Sequence, residues 1–160
     1  MGLAARARIG VIDVQALSFL PQATASAAKA ALNALGTPLV QEGTWLRHSD
    51  GFLAQVDWDC TALWPAVVLV LAMGVFGKAR GQALRGLVPA LCGAVVFITL
   101  VNQLRVIAVI WVGVHAPAAF VWVHEAASPF WLVGAGAGYL VVMLGRGEPR
   151  WQAARVQAAG

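Results

Sequence analysis

Charge is what this sequence has least of. Asp, Glu, Lys and Arg make up 11% of its 160 residues, where a soluble domain carries about 25%. That scarcity excludes a solvated surface of ordinary composition. Other absences narrow the function classes. No internal repeat or low-complexity tract is visible, and no polar group falls near a bilayer midplane, so a transporter built from related halves is not supported. No glycine motif would cradle a phosphate. The net charge is +4, yet the basic residues carry no interleaved aromatics on one face, so nucleic-acid binding is not supported either. Two cysteines and three histidines fall at irregular spacings that match no finger-like metal pattern.

Apolar residues are what the chain has in quantity. They make up 60% of it, with a mean hydropathy of +0.75. They come in blocks at 61–77, 86–114 and 126–144. Each is near or above the roughly 20 residues that cross a hydrocarbon core of about 30 Å. Three such blocks in so short a chain cannot surround a soluble core. The expected fold is an all-α polytopic membrane protein with about four transmembrane helices and a short extracytoplasmic segment before Cys60.

Charge placement orients those helices. Arg6, Arg8, Lys78, Arg80, Arg85, Arg146, Arg150 and Arg155 are eight of the eleven basic residues. They cluster at the two ends and in the loop KARGQALR. Glu42, Asp50, Asp57, Asp59 and Glu125 lie elsewhere. Under the positive-inside rule both termini and the 78–85 loop are cytoplasmic. The resulting organisation is a single membrane-embedded domain, 1–145, and a basic cytoplasmic tail, 146–160. Spans run over about 9–36, 61–77, 86–114 and 124–144, with 37–60 outside. The first stretch admits two readings. It is a span interrupted by Asp13, Gln15, Lys29 and Asn33, or a signal peptide with small residues at Ala25–Ser26–Ala27. The outside segment carries turn signals at Gly43 and Ser49–Asp50–Gly51. They flank β-prone residues at Thr44–Leu46 and Phe52–Val56, which predicts a short hairpin.

Ionisable groups inside spans are costly and usually functional. Arg105 lies roughly 28 Å along a helix that begins at Gly86, and a helix from Cys60 to Gly77 is roughly 26 Å long. A helix from His124 to Gly145 is roughly 31 Å long. All three residues therefore reach the outer edge of the hydrocarbon on one side. Asn102 precedes Arg105 by one turn on the same helix face. Cys92 falls near the opposite side and reads as a small buried hydrophobe. Cysteine offers a nucleophile, histidine a proton acceptor and arginine a fixed donor to an oxyanion. Taken singly, each has a plainer reading: Arg105 snorkelling to headgroups, Cys60 inert, His124 a bystander.

The ordered set Cys60, Asn102-x-x-Arg105 and His124 resembles the exosortase/archaeosortase family of membrane transpeptidases. So does the layout of an outside stretch LGTPLVQEGTW before the cysteine, a basic cytoplasmic turn, and a histidine opening a span. The resemblance covers about 36–145, as a short, core-only member. It implies that Cys60 attacks a peptide carbonyl to form a thioester, that His124 transfers the proton, that Arg105 stabilises the oxyanion, and that Asn102 supports Arg105. The implied substrate is a secreted protein with a C-terminal sorting signal: a short motif, a transmembrane helix and a basic end. Membrane lipid is the surrounding partner, no cofactor or metal is required, and the site is extracytoplasmic in the cell membrane. The sequence departs from the family in having Thr61-Ala62 where Ser-Gly commonly follows the cysteine.

Two other functions stay open at this point: a lapsed family member that binds a sorting substrate, and an unrelated transport or assembly subunit. Plainer readings cover the remaining polar residues. His48 and His115, with Cys60 and His124, form an alternative metal set. Asp57, Asp59 and Glu125 read as solvated charges, one of which orients His124. Gly134, Gly136 and Gly138 read as a close helix-packing stripe. Trp45, Trp111, Trp122 and Trp131 read as interface or core residues.

Overall fold

The computed structural model describes residues 19–145. Arg6, Arg8, Asp13, Gln15 and the tail 146–160 lie outside them. The element order is α1 (Phe19–Ala34), β1 (Leu39–Glu42), β2 (Trp45–His48), β3 (Leu53–Gln55), a 3₁₀ turn (Trp58–Cys60), α2 (Leu63–Ala79), α3 (Leu84–His115), α4 (Pro117–Trp122), a π-helical turn (Val123–Ala127) and α5 (Ser128–Gly145).

The three apolar blocks are the helices α2, α3 and α5. At 32 residues, α3 is roughly 48 Å long, longer than a hydrocarbon core. It therefore contributes to two cores. Near its start, Ala94 and Ile98 pack with Leu69 and Met73 of α2, with Leu132, Tyr139 and Leu140 of α5 against them. Near its end, Val106 and Ile110 pack with Ala25, Ala28 and Leu32 of α1 and with Leu39, Leu46 and Val56 of the strand region. The helical bundle is apolar on its outside as well: Val68, Leu71 and Val75 of α2 and Phe130, Val133 and Val141 of α5 are all more than 60% exposed. A helix apolar all round belongs in lipid or deep in a large core. Among the described residues, Arg85–His115 and Pro117–Met143 are long and apolar enough to cross a membrane, and Leu63–Ala79 is a shorter apolar helix.

The described part of α1 does not run beside the start of α3. Leu20 shares a groove with Val95 and Thr99, and Gln103 Nε2 donates to the Thr24 carbonyl at 3.2 Å. Hence α1 runs in the same direction as α3, against its second half. The small run Ala25–Ser26–Ala27 falls in mid-helix, with Ala25 fully buried in the core. Asn33, an interruption in the sequence pattern, accepts the Leu39 N–H at 2.7 Å and ties α1 to β1.

The segment between α1 and α2 forms an antiparallel sheet in the order β1-β2-β3, one strand more than the expected hairpin. β1 is short and was masked in the sequence by Pro38 and the polar Gln41 and Glu42. Its register is Leu39↔His48 through Glu42↔Trp45. Both turn signals hold: Gly43 (φ +64°) and Gly51 (φ +92°) sit in the left-handed region that favours glycine. The last helical stretch, α4 through the π-helical turn to α5, begins at Pro117, ahead of the expected start at His124. Ala116 breaks α3, and Pro117, whose missing N–H costs nothing at a first turn, restarts the helix.

Two expectations are corrected here. Cys92 is exposed, not buried, because it lies on the side of α3 that carries the exposed Val88, Val95 and Val96. Gly134, Gly136 and Gly138 seat no helix among the described residues, since a Cβ on each would meet nothing within 4 Å. Of the tryptophans, Trp45, Trp111, Trp122 and Trp131 are all exposed, which leaves the interface reading and removes the core one.

Candidate active site

The junction between the two cores is where the chemistry-bearing residues meet. Val56 ends the strand region as a buried anchor. Asp57 then caps the 3₁₀ turn: its Oδ1 accepts the Asp59 N–H at 3.1 Å, and its carbonyl accepts the Cys60 N–H at 3.2 Å. Thr61 is buried, and its hydroxyl donates to the Trp58 carbonyl at 2.8 Å. The departure after the cysteine therefore supplies a hydroxyl that closes the turn. Cys60 is held half-buried between sheet and bundle, one short step before α2.

Asn102 and Arg105 do share a face of α3, as their spacing requires. Asn102 is 2% exposed. Its Nδ2 donates to the Cys60 carbonyl at 2.8 Å, so the amide fixes the backbone of the candidate nucleophile. The amide oxygen faces Arg105 Nη1 at 3.4 Å, and the same Nη1 faces the Asp59 carbonyl at 3.5 Å. Both are long, weak contacts. Arg105 Nε is buried and has no hydrogen-bond partner among the described residues. A buried N–H left unpaired costs about 1–3 kcal/mol.

His124 lies in the π-helical turn, an arrangement that inserts a residue into a helix and recurs at functional sites. Its ring stacks on Phe120, centroids 5.6 Å apart, and Phe120 in turn meets the edge of Phe52 at 5.7 Å. No hydrogen bond to the imidazole is present among the described residues, and none joins it to the Cys60 thiol. Glu125 is exposed beside it, while Asp57 and Asp59 face the 3₁₀ turn instead. No carboxylate among the described residues bonds the imidazole of His124.

Cys60, Arg105 and His124 line one cleft of about 250 Å³, together with Leu53, Ala54, Gln55 and Val56 and an apolar wall of Val106, Val109, Ile110 and Phe120. The other two histidines lie elsewhere. His48 pairs with Asp50 at 3.6 Å, and His115 stacks on Trp111 with its Nδ1 3.0 Å from the Trp111 carbonyl. Neither lines the cleft, and among the described residues no group of three potential ligands is placed to hold a metal ion.

Within the cleft the Cys60 thiol is pushed above its ordinary range. Burial is the main cause, the Asp57 carboxylate adds to it, and the Asp57 backbone N–H and the Arg105 charge pull the other way. Asp57 is the residue that sequence reasoning undervalued. An Asp three positions before a cysteine is a common turn former, and only the fold brings its carboxylate to the thiol.

Comparison with curated proteins and with solved structures gave no match. The transmembrane exosortase family model matches residues 8–145, which include the cleft, its three chemistry-bearing residues and every described helix. On that match, the chain belongs to the transmembrane exosortase family.

Proposed function

We propose that this protein is a membrane cysteine transpeptidase or protease acting on C-terminal sorting signals of secreted proteins. The observation that carries the reading is the shared cleft: a cysteine, a histidine and an arginine whose buried Nε lacks a partner among the described residues. In this reading His124 takes the thiol proton and Cys60 Sγ attacks the scissile carbonyl carbon. Arg105 Nε donates to the oxygen as it becomes negative. Collapse of the tetrahedral adduct breaks the C–N bond, and the leaving amine takes the proton from His124. An amine acceptor or water then attacks the thioester and frees Cys60. Asn102 positions the nucleophile by holding the Cys60 carbonyl. The proposed topology is four spans, with both termini and the 78–85 loop cytoplasmic and the cleft extracytoplasmic.

The test is processing of a co-expressed secreted protein that carries a motif, a transmembrane helix and a basic end. Cys60→Ala should leave the precursor uncleaved. Arg105→Lys keeps the charge but loses the planar fork and should slow cleavage on the order of a hundredfold. Cys92→Ala should process normally, since Cys92 lies about 20 Å from Arg105 along α3. Normal processing by Cys60→Ala would overturn the reading.

Two observations favour a second reading, a binding protein that has lost catalysis. The thiol is raised, not lowered, and His124 stacks on Phe120 without bonding it. A hydroxylamine-sensitive thioester trapped on Cys60 separates the two readings, since only the enzyme forms one.

A further inference from the structure

The three-stranded sheet ends on β3, and among the described residues the second edge of β3 pairs with no strand. Along an antiparallel strand, successive residues turn their backbone N–H and C=O to opposite sides. The parity of β3 is set by its neighbours: His48 N–H donates to the Phe52 carbonyl and Val56 N–H to the Thr44 carbonyl, each at 2.9 Å. Phe52, Ala54 and Val56 therefore address β2. Leu53 and Gln55, on the other parity, turn their N–H and C=O groups to the open edge.

That edge faces the cleft. Leu53, Ala54, Gln55 and Val56 all line it. Side chains of successive strand residues point to opposite faces, and Leu53 and Gln55 on one face line the cleft together with Ala54 on the other. Contact with residues of both faces is what a cavity running along the strand's edge makes. Across it stand Cys60, Arg105 with its unpartnered buried Nε, and His124. An open strand edge beside an arginine N–H with no partner among the described residues suits one kind of occupant, a peptide in extended conformation.

We infer that β3 captures the cleavage segment of the substrate as a fourth strand, bonded to the backbone of Leu53 and Gln55, and so delivers the scissile carbonyl to Cys60 and Arg105. The inference rests on the peptide-cleaving reading above and adds how the peptide is held. Backbone capture tolerates many sequences. Selectivity then falls to alternate side chains of the bound segment, which meet the wall of Val109, Ile110 and Phe120. That wall favours small or apolar residues and disfavours charged ones.

The experiment uses the full chain in detergent with Cys92→Ala, which leaves Cys60 as the only thiol. Alkylation of Cys60 at alkaline pH is timed with three probes: an acetylated tri-alanine chloromethyl ketone, the same compound with its backbone amides N-methylated, and chloroacetamide. Strand capture predicts that the unmethylated peptide reacts roughly fivefold faster than the methylated one, the worth of about one net backbone hydrogen bond. Gln55→Pro removes an edge N–H without touching a bond to β2 and should cancel that advantage. Gln55→Ala should keep it, and chloroacetamide should react equally with all three proteins. Equal rates for the two peptides on the unaltered chain overturn the inference, as does an advantage that survives Gln55→Pro. No sorting substrate is involved, so failure of strand capture is seen apart from failure of the transpeptidase reading, which the Cys60→Ala precursor assay reports.

Discussion

Burial, first, holds the Cys60 thiol protonated; Asp57 acts in the same direction and Arg105 in the other. The balance can be moved one charge at a time. Asparagine caps a turn about as well as aspartate, so Asp57→Asn keeps the 3₁₀ turn while removing the negative charge beside the thiol. The sign follows directly. A carboxylate disfavours a neighbouring thiolate, so its removal lowers the thiol pKa and moves the midpoint of Cys60 alkylation to lower pH. Arg105→Gln should move it higher. A profile that Asp57→Asn leaves in place would mean that the Asp57 carboxylate does not act on the thiol. The sign bears on the proposed mechanism: a raised thiol gives little thiolate at neutral pH, which is why that mechanism assigns His124 the thiol proton as attack begins.

At the scale of elements, the end of α3 and the start of α4 are coupled through rings. Gly113 faces Phe52, and a Cβ there would collide with the Phe52 ring and lie 2.9 Å from Phe120. Phe120 carries the stack that orients His124. Gly113→Ala should therefore lower thermal stability in detergent by roughly 1–3 kcal/mol, the usual cost of overpacking. Precursor cleavage should fall further than stability alone explains, because the displaced ring moves the His124 stack. Gly74→Ala in α2 is the contrasting case. Nothing lies within 4 Å of a Cβ at Gly74, and alanine gains helix propensity of about 1 kcal/mol, so its melting temperature should hold or rise.

For the whole molecule, the long α3 joins a lipid-facing bundle to a compact cap of α1 and the sheet, and the cleft forms at their seam. Charge asymmetry is the basis of the proposed orientation. With Cys60→Ala and Cys92→Ala as background, a cysteine at exposed Ser49 should react with a membrane-impermeant maleimide in intact cells. One at exposed Ala83, between α2 and α3, should react only after permeabilisation. Both sites are exposed in the fold, so burial cannot mimic protection by the membrane. Labelling of both from outside would sink the four-span topology and the extracytoplasmic placement of the cleft.

What the sequence determined by itself follows from local periodicity and steric rules. Long apolar blocks became α2, α3 and α5, because helices satisfy their own backbone where no water is available. Gly43 and Gly51 became turns because only a residue without Cβ enters the left-handed region freely. Asn102 and Arg105 share a face because a helix repeats every 3.6 residues. The tertiary structure decided what depends on contacts between distant residues. Nothing in the local pattern of Leu39–Glu42 outweighed its polar residues; pairing with β2 and packing on α1 made it a strand. Cys92 and the α5 glycines were misread because burial depends on which neighbours arrive, and none arrived on those faces. The amide of Asn102 on the Cys60 carbonyl, Asp57 at the thiol and the open edge of β3 along the cleft each join residues through the fold or through the parity of a strand pairing. Such contacts have no period in the sequence, and they exist only once the two cores have closed on α3.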